Sequence, residues 1–195
     1  MELLQMKILL LDGSCKDQEY NDRLFQVVHH TLQASGHNLK TYDLSQLTIA
    51  PCLGCFGCWI QTPGECVIRD EGRLIAKELM QNDVVVFFTP VVFGGYSSEL
   101  KKALDRFIPN ILPFFRIHQN ETHHVPRYSR YPDLIFLGTL PEKDQSLEHT
   151  FYQLTQRNVL NMYPTCFSST VIYEHQTGDE IKKQLEKALK EVKII

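Results

Sequence analysis

The sequence predicts an α/β fold in which helices cover both faces of a five-stranded parallel sheet. Apolar runs without polar interruption, which are typical of strands buried on both faces, alternate along the chain with segments of helical periodicity. The chain has 195 residues, 43% of them hydrophobic and 22% charged. These values suit one globular domain with a sizeable core.

The first part of the chain alternates strands and helices. The continuous apolar run Met6–Asp12 predicts a buried strand. Glu19–Ser35 then carries apolar residues at helical spacing and ends before Gly36, a residue typical of helix C-termini. Asn38–Leu44 alternates apolar and polar side chains and predicts a second strand, whereas Glu71–Met80 predicts a second helix.

The same alternation continues towards the C-terminus. Asp83–Thr89 (DVVVFFT) is the strongest strand signal in the chain, and Ser98–Phe107 predicts a helix. Asp133–Thr139 (DLIFLGT) predicts a fourth buried strand, and Gln145–Met162 predicts a long helix. Thr165–Tyr173 is a fifth strand, whose polar residues suit the edge of a sheet.

This order places five strands in one doubly wound sheet. Gly178–Val192 adds a charged C-terminal helix, and two segments break the alternation: a cysteine-rich loop at about 45–70 and an irregular loop at about 109–132. Strands joined by crossover helices suit the flavodoxin-like three-layer sandwich with strand order 2-1-3-4-5. We expect residues 1–195 to form one such domain, with its ligand site beside the loops after strands 1 and 3.

The composition excludes several classes of partner and location. Lys and Arg number 20 and Asp and Glu number 23, a net charge of −3, without the basic stripe that nucleic-acid binding needs. No apolar run approaches the ~20 residues of a membrane span, and the start MELLQMKILLLDG lacks the features of a signal peptide. Because 6 cysteines without such a signal indicate a reducing compartment, we expect a cytoplasmic protein that binds neither nucleic acid nor membrane.

The loop after the first strand is a candidate anion site. Its Gly-Ser turn leads into a helix N-terminus with free backbone N–H groups, and Ser14 and Lys16 add a hydroxyl and a positive charge. Asp17 counts against an anion, because a carboxylate repels phosphate. The alternative is an ordinary strand-to-helix turn in which Asn21 or Asp22 caps the helix.

The loop after the third strand predicts an apolar ligand contact. Gly94 and Gly95 permit a close backbone approach or a positive φ angle. An apolar lip surrounds them and would suit a flat aromatic ligand. The lip consists of Val91, Val92, Phe93 and Tyr96. The alternative is a hydrophobic loop that a neighbouring chain covers.

Four cysteines at close intervals form a candidate metal site. Cys52, Cys55, Cys58 and Cys66 have the spacing C-x2-C-x2-C-x7-C, which resembles the first part of a ferredoxin ligand run. A turn at Pro63-Gly64 could return the last thiol to the other three. Zinc fits this spacing less well, and reduced thiols that pack as small hydrophobic groups are the third alternative.

Other residues have simpler interpretations. His123 and His124 are expected in an exposed polar loop, with the mouth of a ligand site as the alternative. Arg106 is expected on the solvated face of its helix, and Cys166 is expected in the core. Trp59 is expected to pack against the cysteine loop or to shield a ligand ring.

Two longer motifs carry a family resemblance over nearly the whole chain. They are PCLGCFGCWIQTPGECVIRDE at Pro51–Glu71 and TPVVFGGYSSELKKALDRF at Thr89–Phe107. Together with the strand order, they resemble the NADPH-dependent FMN reductase group of flavodoxin-like proteins. Within that group the chain is most similar to the branch with a compact cysteine motif, the iron–sulfur flavoproteins.

The resemblance implies a set of FMN contacts. Residues after the first strand would face the phosphate, and residues after the third and fourth strands would face the ring. Those near the phosphate are Ser14, Cys15, Lys16 and Asn21. Those near the ring are Pro90, Val91, Val92, Phe93, Gly94, Gly138 and Thr139. Cys15 and Lys16 depart from the family pattern, which has Pro and Arg there.

The resemblance also implies a function. It indicates an FMN-dependent NAD(P)H oxidoreductase of the flavin or quinone reductase type, in which NAD(P)H is the cosubstrate and the acceptor is a small molecule or a protein. The flavin supplies the chemistry, so no side chain is expected to act as a catalytic acid or base. Two alternatives remain: an electron carrier with a 4Fe–4S cluster on Cys52, Cys55, Cys58 and Cys66, and a flavodoxin-like scaffold without enzymatic activity. The apolar lip and the aromatic-rich segment Pro113–Tyr131 predict a homodimer or higher homo-oligomer.

Overall fold

The computed structural model describes residues 5–14 and 19–194. Strands within this part of the chain are β1 (Lys7–Asp12), β2 (Asn38–Asp43), β3 (Val84–Pro90), β4 (Ile111–His118), β5 (Glu121–Pro126), β6 (Asp133–Leu140) and β7 (Phe167–Tyr173). Helices are α1 (Glu19–Ala34), α2 (Gly57–Ile60), α3 (Glu71–Gln81), α4 (Ser98–Asp105), α5 (Gln145–Met162) and α6 (Gly178–Glu191). Single 3₁₀ turns occupy Leu44–Gln46 and Ile108–Asn110.

The larger sheet has the strand order β2-β1-β3-β6-β7, and every pair in it is parallel. With the two strands of the inserted β4–β5 hairpin set aside, this is the predicted order 2-1-3-4-5. The predicted flavodoxin-like α/β class is therefore confirmed. Since all five strands run the same way, their carboxyl ends meet at one edge of the sheet.

The sheet separates two apolar layers, and the alternation of side chains along each strand supplies both. In β1, Leu9 and Leu11 face the layer under α3, α4 and α5, whereas Ile8 and Leu10 face the layer under α1 and α6. Each central strand is therefore apolar throughout, as the uninterrupted runs predicted. Among the described residues, no helix is long and apolar enough to cross a membrane.

Side-chain caps set where several helices begin. Asp70, Ser97 and Asp144 accept hydrogen bonds from backbone N–H groups in the first turns of α3, α4 and α5. Thr177 forms a capping box with Glu180 at the start of α6. These polar residues directly precede the apolar-periodic segments, which explains why the sequence located the helix starts well.

The prediction of an irregular loop at about 109–132 is wrong. The segment contains an antiparallel hairpin of β4 and β5, which pairs Phe115 with His124 and Ile117 with Thr122. Its register shifts between Ile111 and Phe115, so the apolar alternation is interrupted. That irregularity and the prolines concealed the strands from periodicity.

We predict that Phe136 is a major contributor to stability. Its buried ring lies 4.9 Å from that of Phe87 and 6.1 Å from that of Tyr96. Phe136→Ala should lower the free energy of unfolding by about 3–5 kcal/mol in a denaturant titration, because it leaves a cavity. The control is Phe93→Ala, which removes a ring that is 95% exposed and should change stability by less than about 0.5 kcal/mol. Equal effects of the two substitutions would contradict this core.

Candidate functional site

The carboxyl ends of β1 and β3 are joined by a short network of hydrogen bonds. The backbone N–H of Gly13 donates to the carbonyl of Phe88 at 2.8 Å, and the Ser97 hydroxyl donates to the carbonyl of Gly13. A Cβ atom on Gly13 would lie 2.7 Å from Cβ of Leu100. Glycine therefore allows the loop after β1 to pass directly against the first turn of α4.

Ser14 lies at this edge, but its donors are already engaged. Its backbone N–H and its hydroxyl both donate to Oδ1 of Asp12, at 2.8 and 2.6 Å. Burial raises the pKa of the Asp12 carboxyl, even though these two hydrogen bonds oppose the shift. The nearby carboxylates of Asp43 and Asp22 raise it further. The carboxyl group of Asp12 therefore lies next to Ser14, the residue that was predicted to bind an anion.

The remaining residues predicted near a phosphate divide into two groups. Cys15 and Lys16 lie outside the described residues. Asn21 lies inside α1 and is fully buried, and its Oδ1 accepts a 2.6 Å hydrogen bond from the hydroxyl of Thr139. The alternative role of Asn21 or Asp22 as a helix cap is therefore wrong, because both residues follow the start of the helix.

The loop after β3 forms a tight, projecting turn. Val92 and Gly95 exchange two backbone hydrogen bonds of 3.0 and 2.8 Å, and Phe93 and Gly94 between them have φ angles of 50° and 78°. Phe93 is exposed and Val92 is 45% exposed, whereas Val91 and Tyr96 are buried. The predicted apolar lip therefore consists of only Val92 and Phe93 at the surface.

Three other predicted ring contacts lie beneath this turn. Pro90 is the buried last residue of β3, and the carbonyl of Thr139 accepts a 2.9 Å hydrogen bond from the backbone N–H of Val91. A Cβ atom on Gly138 would lie 2.7 Å from a methyl group of Val91 and 3.0 Å from the ring of Phe151. Gly138 thus brings β6, the turn and α5 together. The structure gathers Pro90–Gly94, Gly138 and Thr139 at one edge.

The four clustered cysteines lie on both sides of α2: Cys52 and Cys55 precede the helix, Cys58 lies in it and Cys66 follows it. Cys52 and Cys55 are exposed, Cys58 is buried and Cys66 is half-buried. The loop turns sharply at Gly54 and Phe56, which have φ angles of 62° and 54°. Among the described residues, no three His, Cys, Asp or Glu side chains are gathered so that they could hold a metal ion.

The thiols nevertheless lie near one another. Burial raises the pKa of the Cys58 thiol, and the electrostatic effects of Cys66, Cys52 and Cys55 raise it further. One zinc ion draws its sulfur ligands to about 2.3 Å from a single point. The other three sulfur atoms therefore lie near Cys58, but the described side chains are not gathered round such a point.

Trp59 packs against the cysteine loop, as one of its two predicted roles requires. Its ring stacks on Phe56 with centroids 5.1 Å apart, and its other neighbour, His124, lies 5.0 Å away. Its indole N–H donates to the carbonyl of Ile111 at 2.9 Å. The side chain thereby connects the cysteine loop to the hairpin.

The prediction that Arg106 lies on a solvated helix face is wrong. The side chain is 0% exposed, and its guanidinium donates to both carboxylate oxygens of Asp70, at 2.7 and 2.8 Å. It also donates to the carbonyls of Ala50 and Ile68, at 2.8 and 3.3 Å. Arg106 directly follows α4, where the chain leaves the helix and turns inward. The only signal in the sequence for the burial of Arg106 was an acidic residue, Asp70, immediately before another predicted helix.

His123 and His124 were also assigned wrongly to an exposed loop. Both lie in β5, and His123 is buried between Glu121 at 3.1 Å and Asn161 at 3.3 Å. Nδ1 of His124 lies 2.8 Å from the carbonyl of Leu112 within the hairpin. Cys166 is only half-buried and packs at the margin of the layer under α1 and α6.

A cavity of about 520 Å³ lies between α4, α5 and the cysteine loop. Its walls are mainly apolar, and Cys52 lines one side of it. Tyr96 and Asn158 also line it, and the side-chain amide of Asn158 donates to the hydroxyl of Tyr96 at 2.9 Å. Its volume lies in the range that small-molecule sites occupy. No pattern in the sequence indicates this cavity.

The fold and this edge define a flavodoxin-like protein with a candidate flavin site. The profile of the NADPH-dependent FMN reductase family matches residues 6–126, which is more than half of the chain. The protein therefore belongs to the NADPH-dependent FMN reductase family, and the predicted resemblance is confirmed.

Individual proteins are also similar to this chain in sequence. An iron-sulfur flavoprotein of Methanocaldococcus jannaschii is 29% identical over 104 residues, which are 53% of this chain and 53% of that protein. The chain spans about half the length of the curated relatives it matches.

Among solved structures, an azoreductase from Bacillus anthracis has a TM-score of 0.67 at 13% identity, covering 98% of this chain and 100% of that one. An NAD(P)H:quinone oxidoreductase from Methanothermobacter marburgensis has a TM-score of 0.63 at 13% identity, covering 96% of each chain. These structural similarities show the shared fold.

We predict that Asp70 stabilises the protein through Arg106. Burial alone would raise the pKa of Asp70, but hydrogen bonds from Arg106 and from the backbone of Ala50 lower it below its ordinary value of 3.8. Asp70→Asn leaves the buried guanidinium without its counter-charge and should cost about 3–5 kcal/mol at neutral pH in a denaturant titration.

The pH dependence follows from the lowered pKa. The difference between wild type and Asp70→Asn should be constant above about pH 4 and shrink as the pH falls through the folded-state pKa. The control is Asp105→Asn, which removes an exposed partner of Lys101 and should cost at most about 1 kcal/mol. A pH-independent difference would contradict an ionised Asp70.

Proposed function

We propose that this protein is an FMN-dependent NAD(P)H oxidoreductase of the flavin or quinone reductase type. The observation that carries the proposal is the projecting turn Val92–Gly95 at the edge where the carboxyl ends of β1, β3 and β6 meet. In doubly wound sheets this edge is where ligands bind. Membership of the NADPH-dependent FMN reductase family supports FMN as the ligand. When bound, FMN supplies hydride transfer between reduced nicotinamide and an acceptor.

The turn has the chemistry to hold an isoalloxazine ring. Val92, which is 45% exposed, and Phe93, which is 95% exposed, offer an apolar surface to a ligand. The backbone N–H groups of Phe93 and Gly94 donate to no described residue and could bind the polar edge of a ring. Gly94 cannot be replaced without strain, because its φ angle is 78° and a Cβ atom would lie 2.5 Å from Thr150. These residues bind and orient; none of them moves a proton.

The residues predicted near the FMN phosphate fit this cofactor less well than the residues predicted near its ring. Ser14 already donates twice to Asp12, so a phosphate has to compete with a carboxylate for the same donors. The amide of Asn21 is likewise engaged by Thr139. We infer that FMN binding at this edge is weakened by the negative charge of Asp12.

The test is a fluorescence titration of apo-protein with FMN, followed by NAD(P)H oxidation with an added quinone or free flavin. Wild type should quench FMN fluorescence saturably and oxidise NAD(P)H only when FMN is present. Asp12→Asn keeps an acceptor for Ser14 but removes the charge, so it should tighten FMN binding on the order of tenfold. Because the pKa of Asp12 is raised, this advantage should shrink as the pH falls and the wild-type carboxyl becomes neutral.

The matched control is Asp179→Asn, which makes the same change at an exposed position of α6 and should leave FMN affinity unaltered. If neither wild type nor Asp12→Asn quenches FMN, the proposed flavin function is wrong and the non-enzymatic scaffold is favoured. If both bind FMN equally, the role given to Asp12 is wrong while the flavin function stands.

The acceptor is proposed to be a small molecule or a redox protein. The mainly apolar cavity that Cys52, Tyr96 and Asn158 line suits an uncharged acceptor. We place the protein in the cytoplasm because its 6 cysteines suit a reducing compartment.

A second candidate function is electron transfer through a 4Fe–4S cluster on Cys52, Cys55, Cys58 and Cys66. The specific observation in its favour is that Cys66, Cys52 and Cys55 all lie near enough to Cys58 to raise the pKa of its thiol. Four thiolates are the usual ligands of such a cluster, which would supply single-electron exchange. The iron-sulfur flavoprotein relatives support this candidate.

We also propose a homodimer that buries the outer surface of the hairpin. Phe114, Phe115 and Ile117 of β4 are exposed, and Ile60 and Leu53 add exposed apolar area from the cysteine loop. Five large apolar side chains open to solvent are typical of an interface. A two-fold dimer brings the same surface of both copies together.

The hairpin surface predicts how substitutions affect assembly. Ile117→Lys places a charge in the proposed interface and should convert the dimer to a monomer in sedimentation velocity. The control is Gln26→Lys, which places the same charge at an exposed position of α1 and should leave the dimer intact. A wild-type monomer, or equal behaviour of the two variants, would contradict this interface.

A further inference from the structure

The cavity between α4, α5 and the cysteine loop adjoins the turn at which FMN is proposed to bind. Tyr96 lines the cavity and directly follows Val92–Gly95, the projecting turn. Leu154 of α5 lines it as well, and Cδ2 of this leucine would lie 3.9 Å from a Cβ atom on Gly95. A molecule in the cavity would therefore lie beside residues that contact or continue the turn.

The charges at this cavity are already paired. Of the described residues that line it, only Lys101 and Asp105 are charged, and they form an ion pair of 2.6 Å with each other. Leucine and isoleucine side chains supply much of the remaining wall. Because an ion loses its hydration in such surroundings without gaining a counter-charge, the cavity favours an uncharged ligand with a large apolar part.

One polar group has a fixed position at the cavity wall, the hydroxyl of Tyr96. The side chain is only 8% exposed, and its ring lies 6.1 Å from that of Phe136 and 5.8 Å from that of Phe151. The side-chain amide of Asn158, which also lines the cavity, donates to the hydroxyl oxygen at 2.9 Å. Aromatic packing thus holds the ring, and the amide holds the oxygen.

The hydrogen of this hydroxyl is available to a ligand. In the bond between the two side chains Asn158 is the donor, and the Tyr96 hydroxyl donates to no described residue. Burial raises the pKa of the Tyr96 phenol, so the group stays protonated at neutral pH and remains a donor. A donor that is almost excluded from water gains free energy when a ligand supplies an acceptor.

We propose that Tyr96 is a specificity-determining residue whose hydroxyl, held by Asn158, donates to the carbonyl oxygen of an uncharged acceptor in the cavity. The inference rests on the proposed oxidoreductase function and adds the chemical class of the acceptor, a mainly apolar carbonyl compound of the quinone type. The apolar part of such a molecule contacts the leucine and isoleucine side chains. A molecule of the same shape without the oxygen leaves the donor unpaired and forms one hydrogen bond fewer. Asn158 acts through Tyr96 and is a positioning residue.

The test compares two probes of similar size and shape, duroquinone and durene. Both are six-membered carbon rings with four methyl groups, but only duroquinone has carbonyl oxygens. Every ring carbon of duroquinone carries a methyl group or an oxygen, which disfavours addition of the Cys52 thiol at the cavity wall. Equilibrium dialysis against the full chain without FMN gives the dissociation constant of each probe, and thermal melting checks that each variant is folded.

Two substitutions remove the available hydrogen in different ways. Tyr96→Phe keeps the ring and its packing but removes the donor, so the dissociation constant of duroquinone should rise about tenfold while that of durene changes less than about twofold. Asn158→Asp replaces the amide by a carboxylate, which accepts the hydrogen of Tyr96 and so withdraws it from the ligand. This variant should also weaken duroquinone relative to durene.

The matched control is Tyr173→Phe. It removes a tyrosine hydroxyl that donates to Glu148 at 2.7 Å, and neither residue lines the cavity. This variant should bind both probes as wild type does. If Tyr96→Phe fails to fold, Asn158→Asp decides the role of the hydroxyl.

Tyr96→Phe that binds duroquinone as tightly as wild type, or that weakens both probes equally, would overturn the role of the hydroxyl. Wild-type protein that binds neither probe would overturn the cavity as the acceptor site. Because the dialysis uses protein without FMN, it is independent of the FMN titration. Absence of FMN binding would overturn the proposed function, whereas loss of probe discrimination alone would overturn only this inference.

Discussion

The buried pair of Arg106 and Asp70 is the interaction on which the attachment of the cysteine loop depends. A guanidinium without exposure to water has to be neutralised and hydrogen-bonded, so its position dictates where its partners lie. Those partners are the start of α3, the two ends of the cysteine motif and the end of α4. The sheet supplies the apolar layers, but this pair determines how the longest irregular segment of the chain is attached to them.

A second constraint acts at the carboxyl edge of the sheet, where close backbone contacts shape the site. Gly13 and Gly138 leave no room for a side chain, and both lie where two elements touch. The polar side chains at this edge, Ser14, Asn21 and Thr139, bond to one another or to Asp12. A pre-formed edge of this kind needs little reorganisation to bind a ring, but an anion has to displace an existing hydrogen bond.

The sheet could be predicted from the sequence because strands buried on both faces form continuous apolar runs such as Val84–Phe88, and these runs alternate with segments of helical periodicity. Helix starts were equally accessible, since Asp144 and Thr177 are caps whose role is local. The hairpin, the burial of Arg106 and the burial of His123 could not be predicted from the sequence. A charged residue at a helix end is normally solvated, and only partners distant in sequence, such as Asp70 and Asn161, reverse that preference.

The two candidate sites are joined by one short helix. Ser97 caps α4 and bonds to the loop after β1, whereas Arg106 follows the other end and holds the cysteine loop. Eight helical residues span about 12 Å, so a rigid rod of that length separates the flavin edge from the anchor of the thiols. Helix α4 therefore fixes the distance between the edge at which the flavin is proposed to bind and the guanidinium that holds the cysteine loop.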